Sequence, residues 1–374
     1  MSLMIERFGL LYFIAPFLSV VNNKLGLILS LLIGRSRIQV KLQDKSVIKF
    51  KHSQFDVLMS LLGCLSYATN YKIENSILEI TFDFENYFRI NLAKMTYEEQ
   101  NLLSLLFLGT RYGADFNTNE DDDCKRDKSF KIYNTNGRRV VETNSGIKFF
   151  VDSIHPGNTI IETFVNKIHL ISSNYNWNNR IVVDVGAECG DTPLFFASLG
   201  AKVYAFEPNE RNFQDMLENL KLNQQLSEKV IPIQAAIGED GILEFINPDT
   251  SNDDLYIGSG SYVYNLYGTH GKKVKVQGYK LETAREKFEI PNIDLLKMDC
   301  KGCQFSLTPE SLNNIEQVKI EYSVRDSKHN IHELIEILKK SGFKYIIYRH
   351  NPFARISNRI MANIYAKREN DEKI

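Results

Sequence analysis

Tryptophan occurs once in this 374-residue chain, proline nine times and cysteine five. Five cysteines (Cys64, Cys124, Cys189, Cys300 and Cys303) are too few and too unevenly spaced for a disulfide framework. That excludes a small stapled fold and points to a reducing compartment, by default the cytoplasm. Net charge is lacking as well: 45 basic and 46 acidic residues leave −1, so no global field favours nucleic acid as a partner. Nor is there an uninterrupted apolar run of the roughly 20 residues that a spanning helix needs. "FGLLYFIAPFLSVV" (8–21) contains Pro16, and residues 22–24, Asn-Asn-Lys, separate it from "LGLILSLLIG" (25–34). Residues 1–35 therefore form an apolar helical segment, either packed on the protein or attached peripherally to a membrane. A signal peptide is the third reading, although Glu6 offsets Arg7 and no Ala-x-Ala site follows.

From Arg37 the pattern is mixed. "IQVKL" and "VIKFKH" alternate like a hairpin, "FDVLMSLLGCL" is helix-like, and "ILEITFDF" and "YFRINLA" alternate again. Thr96 caps a helix that opens "TYEEQNLLSLLFLG". The charged stretch 117–129, "NTNEDDDCKRDKS", is the best boundary candidate, which makes 36–130 a small α+β accessory module and 131–370 the main domain. In that domain "RIVVDV", "KVYAFE", "KVIPIQAAI", "IDLLKMD" and "QVKIEYS" alternate with helical stretches. This order predicts an α/β, doubly wound, mainly parallel sheet. The tail "FKYIIYR" and "RIMANIYAKR" has no helix between its two strands, so an antiparallel C-terminal strand is expected.

"VVDVGAECGDTP" places Asp184, Gly186 and Gly190 in a D-x-G-x-x-x-G turn from strand to helix, with Glu207 twenty-one residues beyond Gly186 at the end of the next strand. A carboxylate there can accept both ribose hydroxyls of a nucleoside. The glycine spacing is wider than the dinucleotide fingerprint, and Glu188 and Asp191 would repel a pyrophosphate. A cationic cofactor without phosphate, S-adenosyl-L-methionine, suits the loop better. An enzyme of nicotinamide or nucleotide-sugar chemistry and a non-catalytic binding protein are the alternatives.

"VVDVGAECGDTPLFFASLGAKVYAFEPNERNFQDMLENLKLN", "IPIQAAIGEDG" and "IDLLKMDCKG" together resemble the FkbM family of S-adenosylmethionine-dependent methyltransferases, in its archaeal-type form, over about residues 145–348. The resemblance implies a class I Rossmann-like methyltransferase that O-methylates a hydroxyl of a glycan, a lipid-linked sugar or a secondary metabolite. Carried over by position, it implies Asp184, Gly186 and Gly190 as the cofactor loop, Glu207 as the ribose acid and Ala236 as the adenine-side turn. Ala187, Glu188 and Pro208 flank these positions and complete the cofactor set.

Lys297, Asp299 and Gly302 match the family's "LKxDxEG" block. Lys297 and Asp299 are two apart on one strand and share a face. Asp299 is the expected base or acceptor-orienting group, Lys297 its tuning partner and Glu321 the alternate. Lys301 departs from the block's acid and, with Gly302 and His270, is expected to face the acceptor, Lys301 meeting an anionic group on it. His155, His329 and His332 read as surface residues. Cys300 and Cys303 have Cys-x-x-Cys spacing, but no second Cys or His pair supplies four ligands, so no metal site is expected and both thiols read as bystanders.

Overall fold

The computed structural model describes residues 19–51, 54–82, 87–118, 128–154, 158–248, 271–323, 329–349 and 361–368. His155, His270, Cys124 and most of the expected linker (119–127) lie outside them. The chain forms two compact units that divide at Asn166 and Lys167.

In the first unit, helix α1 (Lys24–Ile33) precedes strands β1 (Arg37–Lys41) and β2 (Val47–Lys51), which pair antiparallel. Their strict alternation buries Ile38, Val40, Ile48 and Phe50 and leaves the charged positions in water. Helix α2 (Phe55–Tyr67) leads to a three-stranded antiparallel sheet of β3 (Asn70–Glu74), β4 (Ile77–Thr81) and β5 (Tyr87–Asn91). Helix α3 (Tyr97–Arg111) opens with the expected cap. The Glu99 amide donates to the Thr96 hydroxyl, and the Thr96 amide donates back to the Glu99 carboxylate. Four further strands close the unit: β6 (Asp115–Asn117), β7 (Ser129–Thr135), β8 (Arg138–Thr143) and β9 (Lys148–Phe150). Because β6 pairs parallel with β7, the ladder carries residues past 130 into this unit.

The second unit is built on seven strands: β10 (Ile181–Val185), β11 (Lys202–Phe206), β12 (Val230–Ile233), β16 (Ile293–Met298), β17 (Ile315–Ser323), β18 (Phe343–Arg349) and β19 (Met361–Arg368). Their order is β12-β11-β10-β16-β17-β19-β18, and only β19 runs against its neighbours. This is the expected mainly parallel sheet with an antiparallel C-terminal strand. Helices α4 (Asp191–Ser198), α5 (Glu210–Leu222), α6 (Leu281–Lys287) and α7 (Ile331–Lys340) connect it. The run "KVIPIQAAI", which reads as one strand, divides at Gln234. Its second half, β13 (Ala236–Ile237), joins a separate three-stranded sheet with β14 (Gly241–Pro248) and β15 (Gly271–Tyr279). The strand order reverses between β10 and β16, and the crevice outside the carboxyl ends of such strands is where open α/β sheets bind ligands.

Candidate active site

Every charged side chain of the site hangs from the ends of β10, β11, β16 and β17 or from the turns that follow. In the parallel pairing, Asp184 of β10 stands directly opposite Lys297 of β16. Both are buried, and the ammonium lies 2.8 Å from the Asp184 carboxylate and donates to the Gly186 carbonyl at 3.0 Å. Lys297 thus pairs across the sheet, not along its own strand with Asp299 as its spacing suggested. Asp299 lies beyond the end of β16, where the register no longer constrains it to the Lys297 face. Burial pushes the Asp184 carboxyl up to about 6 against the pull of Lys297, so the pair is ionised at neutral pH.

The turn after β10 is possible only with glycine. Gly186 has φ +84°, and a Cβ there would meet the Asp299 carbonyl oxygen, so β10 and the β16 loop touch backbone to backbone. Gly190, φ +85°, opens α4 against Met216. Both oxygens of Glu207 accept backbone N–H bonds of 2.9 Å, from Glu188 and from Asn209. Burial nevertheless pushes this carboxyl up to about 7. Asn209, not foreseen from the sequence, caps α5 by accepting from Arg211 and Asn212. The legible sign was an asparagine two residues beyond Glu207.

A cleft of about 30 Å³ is lined by Gly186, Glu207, Pro208, Ala236, Phe245 and Asp299, among others. One side is a carboxylate and open backbone; the other, with Ala235 and Ile237, is apolar. One face of the cleft thus offers hydrogen-bond acceptors and the other only apolar contact. The volume holds about one water, so the walls must part to admit a nucleoside. Ala187 is buried under the turn and Glu188 contributes its amide to Glu207.

Lys301 lines the cleft beside Asp299. Its φ is +51°, and its ammonium binds Asp299 at 2.6 Å and Glu321 at 2.9 Å. The charge expected to meet an acceptor anion is therefore already matched by two carboxylates. Burial alone would raise the Asp299 carboxyl, but Lys301, Lys297 and Lys319 hold it far below the usual range. A carboxylate so stabilised is a weak proton acceptor and a strong hydrogen-bond acceptor. Lys319, missed in the sequence, stands opposite Lys297 on β17 and is fully buried. His169, also missed, is buried; burial and then the charges of Lys319 and Lys297 keep its imidazole neutral. A lysine inside "QVKIEYS" was a readable signal; the histidine of "KIHL" carried none.

Cys300 and Cys303 are joined as a disulfide with Cα atoms 5.5 Å apart, so they are not the bystanders the sequence suggested. The short ring they close contains Lys301 and Gly302, whose φ is +130°. It therefore holds Lys301 in a left-handed conformation that non-glycine residues seldom adopt. Opening the ring with dithiothreitol, or by Cys300→Ala with Cys303→Ala, is expected to release Lys301 from Asp299 and Glu321. Turnover should change several-fold while affinity for S-adenosylhomocysteine stays within about twofold. An unchanged rate in the reduced enzyme would show that the ring has no part in setting Lys301.

Residues 184–345 match the methyltransferase FkbM domain model. No curated protein matches the chain. Among solved structures, the chain is similar to a precorrin-6y C5,15-methyltransferase from Geobacter metallireducens, at 10% identity, 51% coverage of this chain and 82% of the other, TM-score 0.30. It is similar to a magnesium protoporphyrin IX methyltransferase from Synechocystis with bound S-adenosylmethionine, at 12% identity, 52% and 72% coverage, TM-score 0.31. An rRNA methylase from Streptococcus thermophilus matches at 14% identity, 52% and 89% coverage, TM-score 0.32. Likeness at this level bears on neither substrate nor mechanism.

Proposed function

We propose that the second unit binds S-adenosylmethionine at the β10–β11 crevice and methylates a hydroxyl of a glycan, a lipid-linked sugar or a similar small molecule. The observation that carries the cofactor half is Glu207: a carboxylate fixed by two backbone amides at the end of β11, facing a cleft whose far wall is apolar. The FkbM domain match over the same residues supports it. When bound, the cofactor supplies a methyl group on a cationic sulfonium. Gly186 would let its backbone approach the ligand, Glu207 would hold the ribose hydroxyls, and Ala236, Ile237 and Phe245 would cover the adenine. A dinucleotide fits less well, because the carboxyl groups of Glu207 and Asp299 line the crevice where its pyrophosphate would lie.

Hydroxyl methylation is the finer part of the reading, supported by the Asp299–Lys301–Glu321 group at the carboxyl ends of β16 and β17. As the acceptor displaces Lys301 toward Glu321, Asp299 would orient the hydroxyl toward the cleft and, relieved of that cation, take its proton while the methyl passes from the sulfonium to the oxygen and the thioether leaves. Asp299→Asn is expected to lower turnover on the order of a hundredfold with cofactor affinity nearly unchanged. Calorimetry with S-adenosylhomocysteine followed by labelled-methyl transfer to glycan and lipid-linked acceptors checks both halves. No heat of binding would refute the cofactor half; binding without transfer to any hydroxyl acceptor would refute the other.

A further inference from the structure

A concavity of about 1090 Å³ lies in the first unit, far larger than the cleft beside Glu207. Arg35, Arg37, Lys49, Lys51 and Lys94 line it, and among its described lining residues none is acidic. All five cations are exposed. On the β1–β2 ribbon Arg37 stands directly opposite Lys51, and Lys49 opposite Gln39. Like charges in directly opposed positions destabilise a strand pair. Among the described residues no carboxylate forms an ion pair with Arg35, Arg37, Lys49 or Lys94. The ribbon itself is anchored: Asn23 at the start of α1 accepts from the Lys41 amide at 2.7 Å and donates to the Gln39 carbonyl at 3.0 Å. Arg37, Lys49 and Lys51 are therefore carried on a ribbon tied to the start of α1.

A second feature borders this concavity. Helix α1 buries Leu27 and Leu31 and lines the cavity with Gly26 and Ser30, but Leu25, Leu29 and Ile33 are 77, 54 and 68% exposed. Their spacing of four places them in one row, and at 100° per residue that row is the edge adjoining Gly26. An apolar ridge beside a basic hollow has the two properties of a surface that binds anionic bilayers. Cations meet the phosphates, and leucine and isoleucine enter the acyl boundary.

We propose that this basic concavity of the first unit seats phosphate-bearing headgroups of an anionic membrane surface, with Leu25, Leu29 and Ile33 entering the adjoining acyl layer. The α1 helix lies on the surface; among the described residues no helix is long and apolar enough to cross a bilayer. The proposal stands independently of the methyl-transfer reading.

Co-sedimentation of the full chain with vesicles tests it. Partitioning onto phosphatidylglycerol–phosphatidylcholine vesicles is expected, falling steeply with added salt, with none onto phosphatidylcholine alone. Each cation removed should weaken partitioning about fivefold, so Arg35→Gln with Arg37→Gln and Lys49→Gln should cost about a hundredfold. The triple variant should keep the wild-type circular dichroism spectrum and melting temperature, which shows that its fold survives. Leu25→Ser with Leu29→Ser and Ile33→Ser should also lower partitioning while leaving the salt slope in place. Failure of the wild-type chain to sediment with anionic vesicles would overturn the proposal, as would equal binding to neutral ones or indifference to the triple substitution. Calorimetric binding of inorganic pyrophosphate without vesicle binding would overturn it in favour of a free-phosphate site.

Discussion

Lys297→Met is expected to cost about 3–5 kcal/mol of stability at pH 8. The reason is the position of its partner. Asp184 is fully buried on β10, and its ion pair with Lys297 is 2.8 Å long. Removing the ammonium strands a carboxylate where water cannot reach it, and also takes a donor from the Gly186 carbonyl. Asp184 already has a raised pKa, about 6, with the lysine present; without it the group rises further. A buried acid whose folded pKa lies above its unfolded value loses stability as pH climbs through the folded pKa. The deficit of the variant should therefore be larger at pH 8 than at pH 5. Adding Asp184→Asn should return a large part of it, since no charge is then left unpaired. Urea unfolding of the two variants at both pH values checks this. A pH-independent deficit below about 1 kcal/mol would mean that the pair contributes little.

Glu207→Gln is expected to weaken S-adenosylhomocysteine binding by roughly thirtyfold, the loss of about 2 kcal/mol that accompanies charge-assisted hydrogen bonds. The substitution also turns one oxygen into an NH₂ group facing a backbone N–H, from Glu188 or Asn209, that now has no acceptor. The wild-type affinity should depend on pH in a defined direction. Glu207 titrates near 7 in the free protein, and only its carboxylate form accepts from two ribose hydroxyls. Binding should strengthen as pH rises from 6 to 8, and the glutamine variant should show a flat profile. The stability of the protein alone should run the opposite way: the raised folded pKa of Glu207 removes stability as pH rises through about 7. A wild-type dissociation constant indifferent to pH would take Glu207 out of the binding site.

How far the sequence was legible follows from how local each signal is. The β10 turn was legible because its constraint is local: two glycines at positive φ and an acid at the end of the next strand can be read from spacing alone. The partner of Lys297 was not, because strand spacing fixes which face a residue takes but not which neighbour stands beside it. Only the β10–β16 register brings Asp184 to that place. Lys319 shares that history, since two lysines facing one another across β16 and β17 are invisible until the strands are paired. The disulfide escaped for a different reason. Compartment arguments drawn from cysteine number average over the chain, whereas one Cys-x-x-Cys turn can close whatever the other cysteines do.

The division of "KVIPIQAAI" at Gln234 has a mechanical consequence. Gly186 and Glu207 follow directly on β10 and β11 of the seven-stranded sheet, whereas Ala236, Ile237 and Phe245 belong to the small sheet of β13, β14 and β15. The two sides of the crevice thus belong to separate hydrogen-bonded ladders, joined in the chain through residues 234 and 235 and again through α6, sharing one apolar core at Ile237, Val185 and Phe206, and bridged by the Asn209–Asn247 side-chain hydrogen bond of 3.0 Å. A small shift of one ladder against the other would widen the crevice without breaking a rung of either, at the cost of that hydrogen bond and of apolar contacts between them. Widening the crevice would therefore cost one side-chain hydrogen bond and some apolar packing, not a sheet.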